Sequence, residues 1–191
     1  MHRTGRWCFA VWLTALSAPA VAHPFHAGAE GYIIGLAHAF TGIDHLLAMI
    51  AVGIWAVQQG GNAIWRVPLA FCTGMTVGAA IGYIGFGLPL IEPLIAASVF
   101  ALGLLILNQR KVASGYQIAL VAFFALFHGA AHAMEQPTGV LPWMPLAGLL
   151  SATVLLHIGG MATAMALRAW VRVAGVPLVV TGAWLLSRTV G

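Results

Sequence analysis

The stretch His38–Met49 reads "HAFTGIDHLLAM", and it lies inside an apolar run, residues 32–57, that is long enough to cross a bilayer. The whole chain of 191 residues has only four acidic side chains, and this stretch holds one of them, Asp44, between His38 and His45. An ionised carboxylate within a membrane helix costs ~2.5–3.5 kcal/mol even on the lenient insertion scale. Asp44 must therefore be paired, protonated or open to a wet cavity. Taken alone, Asp44 has a bond to a neighbouring helix, as structural glue, for its alternative explanation.

The composition makes the membrane unavoidable. Hydrophobic residues are 61% of the chain and charged residues 6%, with a mean hydropathy of +0.97, whereas soluble domains carry roughly 25% charged residues. Six apolar segments are predicted as spans, near 32–57, 64–86, 89–108, 114–135, 142–167 and 173–188. Each approaches or exceeds the ~20 residues needed to cross the hydrocarbon core. The connections between them are short, and no soluble domain intervenes. The expected fold is an all-α integral membrane protein: a six-helix transmembrane bundle, a single domain over 23–191, after a signal peptide.

That signal peptide is read from residues 1–22, "MHRTGRWCFAVWLTALSAPAVA". Arg3 and Arg6 precede an apolar core, and Ala20-Val21-Ala22 supplies an A-x-A cleavage site. Of the two cysteines, Cys8 would leave with the leader and Cys72 would stand alone, so neither a disulfide nor a CxxC site is expected.

Cleavage before His23 would put the mature N-terminus outside. Arg66, Arg110, Lys111, Arg168 and Arg172 then fall on the cytoplasmic side and only Arg188 outside, as the positive-inside rule requires. The basic surplus is thus a matter of topology, and no nucleic-acid partner is expected. The C-terminus would also be periplasmic. Three spans followed by three give the second half the opposite orientation, which permits a 3+3 inverted repeat with its site between the halves. Gly74, Gly78 and Gly82 recur every four residues, a pattern that lets membrane helices approach closely.

On a continuous helix His38 and His45 would share a face, while Asp44 would point ~120° away from His38. Either Asp44 meets a different neighbour, or the helix loosens at Thr41-Gly42. The latter is tolerated in a membrane only where the chain is buried in protein or lines a cavity. Counting from the start of the span places Asp44 ~18 Å along it, near the midplane. The fourth span ends "FHGAAHAMEQP", in which His128, His132 and Glu135 fall within an arc of ~60°. Two imidazoles one turn apart, followed by a carboxylate, are a face suited to a divalent metal. Glu92, at the external start of the third span, would join them. The expectation is a ladder of ligands descending from the outer surface: His38, Asp44, His45, Glu92, His128, His132 and Glu135. Imidazole with carboxylate suits Ni²⁺, Co²⁺ or Zn²⁺ better than Mg²⁺ or Ca²⁺. Met49 and His157 could add ligands or simply pack. His23 and His26 could gather metal at the mouth or be a solvated tail.

The HX₅DH pattern of His38, Asp44 and His45, continuing "LLAMIAVGIWA", resembles the HupE/UreJ family, as does "FHGAAHAMEQP" from Phe127 to Pro137. The signal peptide, the "HPFH" start and six spans extend the resemblance over the chain. It implies a permease for nickel, sometimes cobalt, linked indirectly to hydrogenase or urease maturation. Its important positions would be His38, Asp44, His45, Glu92, His132 and Glu135, with His128 inside the second motif. Ala133 stands where the family usually has glycine, which removes no ligand.

The function expected from the sequence is that of a secondary transporter in the bacterial inner membrane, not an enzyme. Its cargo would be Ni²⁺ or Co²⁺, moved from periplasm to cytoplasm, with no prosthetic group. No nucleotide-binding loop of the GxxxxGK[ST] type occurs to power it. The partners would be the ion and the lipid bilayer; the sequence neither requires nor forbids a homo-oligomer. An intramembrane zinc hydrolase, a bis-histidine haem protein and a non-transporting metal-binding accessory protein are the rival readings.

Overall fold

A computed structural model describes residues 27–135 and 142–189. The expected leader at 1–22 and the mouth histidines His23 and His26 lie outside the described residues. The helices are α1 (Ala27–His38), α2 (Ile43–Gln59), α3 (Ala63–Tyr83), α4 (Ile91–Asn108), α5 (Ser114–Met134), α6 (Trp143–Leu167) and α7 (Gly175–Thr189). A 3₁₀ turn, Arg168–Ala174, leads into α7. Among the described residues five helical stretches are long and apolar enough to span a bilayer. Helices α1 and α2, bent by 79° to each other, pass the same test as a pair, which brings the number to six where the pair counts as one span.

That bend falls inside the motif, so the run predicted at 32–57 is two helices rather than one. After His38 the chain tightens: the amides of Phe40 and Thr41 reach back only three residues, to Ala37 and His38 carbonyls, each at 3.0 Å. The Thr41 hydroxyl donates to the same His38 carbonyl at 2.8 Å. That carbonyl is thereby satisfied without a continuing helix. Gly42 is extended at φ −87°, ψ 114°, and its carbonyl accepts the Leu46 amide at 2.9 Å to start α2. A hydroxyl and a glycine at the break thus redirect a chain whose apolar pattern alone would run straight.

Lipid offers helices no hydrophobic drive to associate, so close backbone approach has to hold the bundle. Two crossings achieve it in the same way. In one, a Cβ on Gly53 of α2 would lie 2.1 Å from the His157 carbonyl oxygen, and one on Gly160 of α6 would lie 2.1 Å from that of Ile50. In the other, a Cβ on Gly129 of α5 would lie 1.9 Å from the Met75 carbonyl oxygen, and one on Gly78 of α3 would lie 2.0 Å from that of Leu126. Only glycine permits these contacts. A third close approach joins α4 to α7, where a Cβ on Gly182 would lie 2.5 Å from the Phe100 amide nitrogen.

Met49, Val52, Trp55, Val67, Phe71, Met75, Val99 and Ile106 are completely buried between these helices. Ile33, Trp65, Leu69, Leu155, Ile158 and Val180 face outward, as a lipid-facing surface requires. Where the connections carry Arg66, Arg110 and Lys111, buried amides tie the ends together. Gln59 Nε2 donates to the Arg110 carbonyl at 2.9 Å, and its Oε1 accepts from Gln117 Nε2 at 3.1 Å. Lys111 Nζ donates to the Gln59 carbonyl at 2.7 Å and also to that of Gln58, occupying the negative end of α2.

Candidate metal site

Asp44 falls in the first turn of α2, where free amides and the helix dipole favour a carboxylate. Its Oδ1 accepts the His45 backbone amide at 2.8 Å and the His45 ring nitrogen Nδ1 at 2.8 Å. A carboxylate cannot donate, so Nδ1 carries the proton and Nε2 is left with its lone pair. That Nε2 is buried and has no partner among the described residues. Asp44 thus orients an imidazole as well as bringing charge, the arrangement that fixes ring tautomers in metal centres.

On α5, His128 is completely buried and His132 nearly so. His128 Nε2 lies 3.0 Å from Ser98 Oγ of α4, and that hydroxyl is also 2.7 Å from the Ile95 carbonyl. The single hydroxyl proton goes to the carbonyl, so Ser98 accepts Nε2–H and His128 Nδ1 keeps the lone pair. His128 Nδ1 is buried without a partner among the described residues, as are both nitrogens of His132.

These rings meet across the bundle. His45 lies 4.7 Å from His128 and 4.3 Å from His132, centroid to centroid, and His38 lies 4.9 Å from His132. His38 Nε2 donates to Glu135 Oε2 at 2.8 Å. Ligand atoms of His38, His132 and Glu135 all fall within 4.8 Å of one another, a span that one ion can bridge. Buried polar atoms are ordinarily hydrogen-bonded. Four unpartnered imidazole nitrogens in one cluster suit an incoming cation.

Above the rings a cavity of about 200 Å³ is lined by His38, Thr41, Gly42, Asp44, His45, Glu92 and Glu135. Three of the four acidic residues of the chain therefore face one opening, with no Lys or Arg among its lining. All seven residues singled out in the sequence come together at this end. Their vertical order differs from the ladder expected. Asp44 lines the same cavity as Glu92 and Glu135 instead of lying near the midplane below them. The depth count assumed an unbroken helix, and the 79° bend removes that assumption. The buried level consists of His45, His128 and His132.

Two contributors were not anticipated. Ser98 is a small hydroxyl in an apolar span, and its hydroxyl was the only available signal. Phe71 has none: its ring lies 5.6 Å from His128 and 5.3 Å from His157, a position that only the packing reveals.

A multi-pass membrane bundle with a carboxylate mouth over a buried histidine cluster is the class of protein these features define. The chain belongs to the HupE / UreJ protein family, which it matches over residues 11–185. It is 42% identical over 181 residues to Protein HupE of Rhizobium leguminosarum bv. viciae, covering 91% of this chain and 94% of that one. No solved structure matches it.

Proposed function

We propose that the protein is a secondary transporter that carries Ni²⁺, or Co²⁺, from the periplasm to the cytoplasm across the bacterial inner membrane, supplying hydrogenase or urease maturation. Membership of the HupE / UreJ family supports the assignment. The observation that carries it is the convergence of unpartnered imidazole nitrogens from α2 and α5 directly beneath a carboxylate-lined cavity.

In this reading Asp44, Glu92 and Glu135 attract a hydrated divalent cation and begin to replace its water. His38, with Glu135, hands it to His132, and His45 and His128 complete an imidazole set that suits late first-row ions. Transit requires that no station hold the ion too tightly. The matching glycine crossings, α2 with α6 and α5 with α3, support a 3+3 inverted repeat. The cluster would then sit where the halves meet, and rocking of the halves would expose it to either side.

The test is uptake of radioactive nickel by proteoliposomes carrying the wild type or Asp44→Asn. Asparagine can still accept the His45 proton but brings no charge, and uptake should fall by about 10–100-fold. Undiminished uptake in the variant would reject the site. A wild type that binds nickel without moving it would be the accessory protein rather than the permease.

A further inference from the structure

Beyond the histidine cluster lies a second set of donors that the passage described above does not use. Thr153 and His157 stand one turn apart on α6, Met49 on α2 and Met75 on α3. Met49, Met75 and Thr153 are completely buried and His157 is 1% exposed. Thr153 Oγ1 lies 3.4 Å from Met49 Sδ and 4.0 Å from Met75 Sδ. It also lies 2.8 Å from the Leu149 carbonyl of the preceding turn. The one hydroxyl proton goes to that carbonyl, the stronger acceptor. The threonine oxygen and two thioether sulfurs then face one another with lone pairs only and no donor between them. Neither ring nitrogen of His157, one turn further along the same face, has a partner among the described residues. The Phe71 ring is a neighbour of both His157 and His128, at 5.3 and 5.6 Å between centroids.

We propose that Met49, Met75, Thr153 and His157 form an inner metal station that receives the dehydrated ion after the histidine cluster and selects against hard cations. This rests on the transport reading. Acceptors packed against acceptors in a buried place are what a cation relieves. One imidazole and two thioethers suit soft and borderline ions such as Ni²⁺ and offer Mg²⁺ or Ca²⁺ little. The station has no carboxylate, so it holds an ion without the full charge attraction of the mouth and can release it inward. The mouth would admit divalent cations broadly, and the sulfur step would pass the late transition metals.

The experiment uses purified full-length protein saturated with Ni²⁺, read by X-ray absorption at the nickel edge, alongside nickel uptake by proteoliposomes. The wild type should show sulfur neighbours. Met49→Leu/Met75→Leu, a volume-conserving pair of changes of the kind cores tolerate, should lose them and lower uptake about tenfold or more. It should keep the nitrogen and oxygen neighbours of the outer cluster. Each single substitution should leave about half the sulfur signal, which covers the case of a double variant that fails to fold. A wild-type spectrum with only nitrogen and oxygen, or sulfur that survives the double substitution, overturns the inner station. Those results leave transport standing as long as the wild type takes up nickel. A wild type that neither binds nor moves nickel removes both.

Discussion

At the scale of single residues, the site depends on where protons sit on its imidazoles. Asp44 fixes His45 and Ser98 fixes His128, each leaving a lone pair toward the cluster. Ser98→Ala removes the acceptor for His128 Nε2–H and frees the ring to change tautomer. Nickel affinity should weaken by about 10–100-fold, while Ser98→Thr, which restores the hydroxyl, should recover most of it. Titration calorimetry on the purified variants checks both halves of the expectation.

At the scale of helices, glycine has two distinct jobs, and substitution separates them. Gly53→Ala and Gly78→Ala would each drive a methyl group into a neighbouring backbone carbonyl, at 2.1 and 2.0 Å, and neither helix can yield without separating from its partner. Overpacking of this kind costs about 1–3 kcal/mol, so both variants should melt earlier in detergent, whatever metal is present. Gly42→Ala is different. Its backbone angles suit any residue, and the added Cβ would meet the Asp44 carboxylate at 3.0 Å and His45 Nδ1 at 3.1 Å. These are side-chain atoms that can shift, so the fold should persist while nickel binding weakens. Differential scanning fluorimetry with and without nickel distinguishes the two cases. The sequence indicated how these elements were arranged better than where they were interrupted. Hydropathy located the five long apolar helices, because burying backbone in lipid demands such helices. The break at Thr41-Gly42 remained one of two readings, since a single hydroxyl and a glycine decide it through local hydrogen bonds that hydropathy does not register.

At the scale of the whole molecule, the outer cavity and a second cavity of about 510 Å³ lie on opposite sides of a packed layer. The second is lined by Val57, Gln58, Gln109, Ala164, Met165, Arg168 and Val171. Between them Met49, Val52, Trp55, Phe71 and Met75 are completely buried, and the Gln59–Gln117 amides with Lys111 fasten the inner ends. The residues of the proposed site could be picked out by type and spacing, because carboxylates and histidines are scarce in spans and stand out. The closed layer could not, because Met49, Phe71 and Met75 are ordinary in any apolar helix and become a barrier only through their neighbours. In the orientation proposed above, with the arginine-bearing connections on the cytoplasmic side, a site open at one end and sealed at the other is an outward-facing state. In a Cys8→Ala/Cys72→Ala background, Thr41→Cys should react with a membrane-impermeant thiol reagent applied to the periplasmic face, and saturating Ni²⁺ should protect it. Met165→Cys should react only when the reagent reaches the cytoplasmic face, because the layer between the cavities admits nothing of that size. Labelling of Met165→Cys from the periplasmic side would mean that the barrier leaks or that the orientation is reversed. The Thr41→Cys result separates these, since only reversal would also transfer its labelling to the cytoplasmic face.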